Sequence, residues 1–216
     1  MTSYADKGAK PEVGRYFGFH HITFWVGNAK QAAAYYCMRF GFQHVGYRGL
    51  ETGHRTVCTH VIRNGSCFFS FQSPITPNNA LMAAHQELHG DGVKDVAFEV
   101  DDARGIWEQA VKRGAKSVRA PWEEEDEHGN VVMATVATYG ETEHTFVQRN
   151  GYKGVFLPGY AAYKYPDPLE KVLPTVVLEA VDHCVGNQPD LQMVPVAELC
   201  VFCSPTFLYC VVTSKN

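Results

Sequence analysis

An internal repeat limits the folds open to this chain more than any other property of its sequence. Residues 21–28 (HITFWVGN) and residues 95–102 (DVAFEVDD) each place apolar side chains at alternate positions, which is typical of a half-buried strand. Each stretch ends at a residue that favours the N-cap of a helix, Asn28 in the first and Asp102 in the second. The same signals in the same order indicate a duplicated unit.

The helical segments that follow these strands also end alike. Gly41 closes the first and Gly114 the second, and glycine suits the left-handed residue that follows a helix. The residues expected to face the core are Ala32, Tyr35 and Tyr36 in the first helix and Ile106, Trp107 and Ala110 in the second. Three strands follow each helix, and two such units commonly pair around a concave cleft. The sequence therefore predicts an α+β protein with tandem βαβββ modules.

Turn and charge signals place the remaining elements. The expected strands are at about 42–48, 55–63 and 67–72 in the first copy and at about 116–121, 131–139 and 145–149 in the second. Asn64-Gly65 predicts a hairpin turn, and the acidic run from Glu123 to Glu127 predicts a solvated loop. An additional helix near 78–89 joins the two copies.

The chain beyond the repeat changes in character. Residues 151–174, rich in Gly, Pro and Tyr, predict a linker that lies over a surface. Residues 175–185 (TVVLEAVDHCV) predict a new strand that starts a third copy, with His183 in the place of His21 and a helix opened by Pro189. The predicted divisions are an arm at 1–16, paired modules at 17–150 (about 17–77 and 93–150), a linker at 151–174, the start of a third domain at 175–198 and a divergent, disordered tail at 199–216.

Composition excludes several partners. Nineteen Lys and Arg stand against 23 Asp and Glu without a basic block, which argues against nucleic acid. The sequence contains no run of the roughly 20 apolar residues that a membrane span needs. It shows no secretory signal, and its seven cysteines are an odd number, which favours free thiols and a cytoplasmic location.

The histidines of the sequence are the candidates for a metal site. A non-haem Fe(II) site needs two histidines and one carboxylate on one face. His20 and His21 lie on the first strand of the first copy, but the last strands of both copies offer no matching ligand, so these modules predict a metal-free scaffold. The histidines expected to be ordinary are His44, His54, His60, His85, His89, His128 and His144. Cys200 and Cys203 lack the second pair that a zinc site requires.

Five stretches carry a family resemblance: TFWVGNAKQAA (23–33), YRGLETG (47–53), RGAK (113–116), FLPGY (156–160) and DHCVGNQPD (182–190). They resemble the amino-terminal part of 4-hydroxyphenylpyruvate dioxygenases of the vertebrate type, within the vicinal-oxygen-chelate superfamily. The resemblance runs from residue 1 to about residue 198.

This resemblance implies a cytoplasmic, usually homodimeric enzyme of tyrosine and phenylalanine breakdown. Such an enzyme binds Fe(II) and converts 4-hydroxyphenylpyruvate and O2 to homogentisate and CO2. Of its three metal ligands, only the histidine of DHCVGNQPD maps onto this sequence, as His183. We therefore expect no complete catalytic set here and no activity from this polypeptide alone.

Two other functions stay open at this point. The chain could be a non-catalytic fragment that associates with full-length subunits. It could instead be a glyoxalase-like metal enzyme that uses its first two modules, provided that a carboxylate lies close to His20 or His21.

Overall fold

Nine strands and three helices form in the computed structural model, which describes residues 14–165 and 167–186. The strands are β1 (Tyr16–Trp25), β2 (Gln43–Arg48), β3 (Val57–Asn64), β4 (Cys67–Pro74), β5 (Gly92–Val100), β6 (Ser117–Asp126), β7 (Gly129–Ala137), β8 (Glu143–Gln148) and β9 (Ala161–Ala162). The helices are α1 (Ala29–Phe40), α2 (Ala80–His89) and α3 (Ala103–Lys112), with short 3-10 turns at Leu50–Thr52 and Pro168–Lys171. The order βαβββ thus occurs twice, with α2 between, and the predicted α+β class is confirmed.

All nine strands belong to one sheet, in the order β6-β7-β8-β5-β1-β4-β3-β2-β9. The two copies meet where β1 pairs antiparallel with β5, and Ile22 lies opposite Val96 at that junction. On either side, His21 faces Ala97 and Thr23 faces Asp95. Because His21 and Asp95 are equivalent in the repeat, this exchange of partners is what a local two-fold relation between the copies produces.

Both repeat helices are capped as the sequence predicts. The Asn28 side chain accepts a hydrogen bond from the Gln31 amide at 3.0 Å, and the Asp102 side chain accepts one from the Gly105 amide at 2.8 Å. Helix α1 ends at Gly41, whose φ of 66° lies in the left-handed region. These signals could be identified in the sequence because each acts within one turn of the chain.

Helices α1 and α3 cover the convex face of the sheet. The buried residues of α3 include the predicted Ile106 and Ala110 together with Ala103, while the predicted Trp107 is partly buried; those of α1 are Ala29, Ala33 and Cys37. The prediction for α1 is wrong for Tyr35, which is 57% exposed, whereas Ala32 and Tyr36 are partly buried. Small side chains at i, i+4 spacing let α1 lie close to the strands, and this leaves the bulky Tyr35 on the outer side.

Strand β6 extends through the acidic run near Glu125, so the predicted solvated loop is wrong. Asp126 pairs with Gly129 at the end of the β6–β7 ladder. Successive side chains of a strand point to opposite faces. Glu123 and Glu125 therefore remain exposed while Glu124 is turned inward and half-buried. The ladder uses main-chain groups, which is why a charged run can form a strand.

The linker also contributes to the core. Its residues Tyr152, Phe156 and Leu157 are buried against strands of both modules. Its short strand β9 pairs with β2, with Ala162 opposite Gly46. These residues of the predicted linker therefore pack on the concave face and form part of the core.

Residues 175–184 do not form the predicted strand, although Val185 makes an isolated bridge. Within this stretch, residues 176–181 lie along the β3–β4 hairpin and are called the strap. The Leu178 amide donates to the Asn64 side chain at 3.2 Å, and the Ser66 amide donates to the Glu179 carbonyl at 2.9 Å. These hydrogen bonds to the hairpin hold the segment in place of a strand ladder. The predicted helix at Pro189 and the predicted tail lie outside the described residues.

Candidate functional site

His183, the predicted metal ligand, lies on the surface of the described part of the chain. Its side chain is 46% exposed, and its Nδ1 atom lies 2.7 Å from a carboxylate oxygen of Asp182. Among residues 14–165 and 167–186, no group of three or more His, Cys, Asp or Glu could hold a metal ion. The described residues therefore do not fit a complete iron site, and His183 stays a prediction.

His20 and His21, the other predicted candidates, are buried next to each other. Their Nδ1 atoms are 2.7 Å apart, and both rings pack against Phe156. Neighbouring strand residues normally point to opposite faces, but a register shift between Phe19 and His21 brings the two rings together. Burial lowers the pKa of His21 to about 3 and, together with the neighbouring His21, lowers that of His20 well below 6.5. Both are buried and neutral.

One further histidine pair was missed in the sequence. His60 Nδ1 lies 3.0 Å from His44 Nε2, and the Tyr163 ring stacks on His44 with centroids 3.4 Å apart. Burial lowers the pKa of His44 to about 3 and that of His60 to about 4. The hairpin register could have indicated this contact, because β2 and β3 place His44 and His60 diagonally across the ladder.

The concave face carries a cavity of about 250 Å³ between the two modules, and this cavity is open to solvent. Polar side chains from the central strands β1, β4, β5 and β8 form its floor: His21, Thr23, Ser70, Asp95 and Thr145. The alternate residues of β1 and β4, such as Ile22 and Phe71, face the helices instead. Polar residues at every second position of otherwise apolar central strands were the signal in the sequence that could have predicted this cavity.

Asp95 is the buried carboxyl of the cavity floor. It accepts a hydrogen bond from the Thr145 hydroxyl at 3.0 Å. Burial raises the pKa of Asp95 to about 7, although that hydrogen bond acts in the opposite direction. Beside it, Lys94 forms an ion pair with Glu143 at 2.7 Å.

Two guanidinium groups also line the cavity. The Arg119 guanidinium lies 3.7 Å from the centroid of the Trp122 ring, and the Arg48 guanidinium lies 5.6 Å from that of Tyr160. The indole of Trp122 donates to Glu124 at 3.1 Å. The cavity thus combines cations, carboxylates, indole rings and neutral hydroxyls, a set suited to binding a polar molecule rather than to nucleophilic attack.

Residues 20–133 match the model of the Glyoxalase/Bleomycin resistance protein/Dioxygenase superfamily. This match and the paired βαβββ sheet agree, and the chain belongs to that superfamily.

Within it, the chain is 54% identical over 199 residues to the 4-hydroxyphenylpyruvate dioxygenase of Xenopus tropicalis and 53% identical over 199 residues to that of Danio rerio. Each match covers 92% of this chain but 50% of the relative, so the chain spans about half the length of the curated relatives it matches. The resemblance inferred from the sequence is confirmed.

A solved structure shows the same fold. A mutant of 4-hydroxymandelate synthase from Streptomyces coelicolor superposes with a TM-score of 0.71 and 22% identity, over 87% of this chain and 52% of that one. Among the described residues, no helix is long and apolar enough to cross a membrane.

Proposed function

We propose that this chain supplies the amino-terminal part of a 4-hydroxyphenylpyruvate dioxygenase, an Fe(II) enzyme that converts 4-hydroxyphenylpyruvate and O2 to homogentisate and CO2. The observation that carries the proposal is the 54% identity to such an enzyme over 199 residues. In this assignment the paired modules are a metal-free scaffold, and the residues that follow them begin the catalytic domain. We include in the proposal a cytoplasmic location and a homodimer, as the family resemblance implies.

His183 is proposed as one of three iron ligands. The carboxylate of Asp182 can only accept a hydrogen bond when ionised, so the contact at 2.7 Å assigns the proton of the imidazole to Nδ1. The Nε2 atom then keeps its lone pair, and this is the arrangement in which a histidine binds a metal. The two remaining ligands are not among the described residues, and bound iron would supply the oxygen chemistry only when all three are present.

The proposal is tested with a fusion protein, called the joined protein, in which this chain is followed by the second half of the Xenopus tropicalis relative. We expect the chain alone, with Fe(II), to consume no O2 and to form no homogentisate, and the joined protein to form it. His183→Ala in the joined protein should lower the bound iron and the rate by more than about 100-fold. His128→Ala, at a half-exposed turn histidine, is the matched control and should leave both unchanged.

Two results would contradict the proposal. One is homogentisate formation by the chain on its own, since it would require a metal site that His183 does not complete. The other is full iron content in the His183→Ala joined protein. Retention of the separate chain by full-length subunits, without turnover, would favour the non-catalytic fragment instead.

A further inference from the structure

The concave cavity has a floor that a purely structural core would not have. The central strands of a buried sheet are normally apolar on both faces. Here the convex face follows that rule, while the concave face carries Thr23, Ser70 and Asp95 at the same strand level. A polar floor in the middle of a sheet indicates a surface that meets something polar.

Ser70 gives the second and independent indication. Its side chain is 1% exposed and lines the cavity. Its hydroxyl has no hydrogen-bond partner among residues 14–165 and 167–186. Buried hydroxyls without a partner are rare because each loses its hydrogen bonds to water. A small rotation of the Ser70 side chain towards the cavity would let a bound ligand supply the missing partner.

The charges of the cavity favour an anion. Glu143 neutralises Lys94 in an ion pair of 2.7 Å. The remaining charged residues of the cavity, Asp95 apart, are two arginines, Arg48 and Arg119, and one carboxylate, Glu124. Within the described ranges neither guanidinium forms an ion pair, and each lies over an aromatic ring that fixes its position.

The Asp95 carboxyl, on the same floor, adds little negative charge below neutral pH. Burial raises its pKa to about 7, so it can donate a hydrogen bond rather than repel an anion. The planar guanidinium fork is suited to a carboxylate, which it can bind through two parallel hydrogen bonds.

The size of the cavity suits a small ligand. A cavity of roughly 150 Å³ already accepts a benzene ring. The space here is about 250 Å³, and Trp25 and Trp122 form part of its wall. This space accommodates one ring with a carboxylate.

We propose that the paired modules carry a metal-free binding site for a small organic carboxylate, of about one ring, on their concave face. Arg48 and Arg119 hold the carboxylate, and Ser70 donates or accepts a hydrogen bond at the floor. The site is separate from the proposed iron centre. It needs neither His183 nor turnover, so its test is independent of the proposed function.

The test titrates the full chain with sodium benzoate and follows tryptophan fluorescence. Two of its three tryptophans, Trp25 and Trp122, line the cavity, while Trp107 donates to Ser117 beside α3. We expect a saturable change with benzoate that persists in Trp107→Phe. Benzamide, the neutral isostere, and inorganic phosphate should each bind at least about tenfold more weakly.

Substitutions separate binding from folding. Arg48→Gln and Arg119→Gln should each weaken benzoate binding about tenfold, with Arg119→Lys intermediate because it keeps the charge but not the fork. Ser70→Ala should weaken binding about fivefold yet raise the thermal midpoint, because it removes an unpaired buried hydroxyl. Arg39→Gln, exposed on α1, is the matched control and should leave the affinity unchanged. Circular dichroism verifies that each variant is folded.

Three outcomes would overturn the proposal. The first is no saturable fluorescence change up to about 10 mM benzoate, since a Kd above that concentration leaves less than about 3 kcal/mol of binding free energy. The second is unchanged affinity in folded Arg48→Gln and Arg119→Gln. The third is equal binding of benzoate, benzamide and phosphate, since this would show that neither the charge nor the ring is recognised.

Discussion

Buried titratable side chains couple the stability of this protein to pH in two opposite directions. Burial lowers the pKa of His21 to about 3 and that of His144 to about 4, so their contribution to stability is present above pH 6.5 and lost as pH falls through those values. Burial raises the pKa of Asp95 to about 7, so its contribution is present below pH 3.8 and lost as pH rises towards 7. Within the paired modules, the buried histidines therefore lower the stability of the fold at acid pH, and Asp95 lowers it as the pH rises towards neutrality.

Asp95→Asn isolates the loss of stability that the raised pKa of Asp95 causes as the pH rises. Between about pH 4 and pH 7 the native carboxyl keeps a proton that the unfolded chain has lost, which costs up to about 1.4 kcal/mol per pH unit. Asparagine can still accept the Thr145 hydrogen bond without this cost. We expect the difference in free energy of unfolding between Asp95→Asn and the parent to grow with pH and to reach a few kcal/mol above pH 7.

Urea unfolding at several pH values measures that difference, in which the histidine contributions cancel. Glu87→Gln, at an exposed carboxylate on α2, provides the baseline. A difference for Asp95→Asn that stayed constant between pH 4 and pH 8 would mean that Asp95 is ionised in the native protein.

At the scale of elements, the strap is held to the first module by a contact that only glycine permits. A Cβ atom at Gly65 would lie 2.0 Å from the Leu178 carbonyl oxygen and 2.9 Å from that of Glu179. Asn64 and Ser66 on either side hydrogen-bond the same segment. The hairpin turn is therefore also the binding surface for the strap.

Gly65→Ala should release the strap, and Gly140→Ala is its matched control. Both glycines have nearly the same φ, 58° and 57°, but a Cβ at Gly140 meets nothing within 4 Å. Gly140→Ala should cost only the left-handed strain, about 1–2 kcal/mol of unfolding free energy. Gly65→Ala should cost more and should expose the Ser66 amide, which donates to Glu179, to hydrogen exchange.

The exchange rate of the Ser66 amide decides this prediction. Equal costs for the two substitutions, with the Ser66 amide still protected in Gly65→Ala, would show that the strap can move aside without loss. Such a result would make the contact incidental to the position of the residues that follow.

For the molecule as a whole, the two modules share one continuous sheet through the β1–β5 pairing. A module that lost its partner would expose the edge of its first strand. Because the modules also share the linker residues Phe156 and Leu157 as core, we expect them to unfold together rather than one at a time.

Phe146→Ala tests this cooperativity from the second module. Phe146 is fully buried, and its removal should cost about 3–5 kcal/mol. In variants that keep only Trp25 or only Trp107, one reporter per module, both urea transitions should shift together. Val118→Ala, at a 46% exposed side chain, is the control and should change stability by less than about 0.5 kcal/mol. If Phe146→Ala left the urea transition reported by Trp25 unchanged, the two modules would unfold independently.

The errors of sequence analysis share one cause. The buried face of α1, the acidic part of β6 and the absent strand at residues 175–184 all depended on which neighbour the segment meets. The same holds for the contact between His44 and His60. A local pattern does not contain this information, since it comes from residues far away in the chain.

The sequence by itself determined the duplicated unit, the caps and glycine stops of its helices, the α+β class and the family resemblance, because each depends on residues within one element or on matching stretches of chain. Only the tertiary structure decided that His20 and His21 are buried and neutral and that polar side chains of four strands meet in one cavity. It also decided that the strap docks on a hairpin rather than forming a strand. The physical reason is that burial and strand pairing, which set protonation and contact, arise only when the two copies join their strands in one sheet.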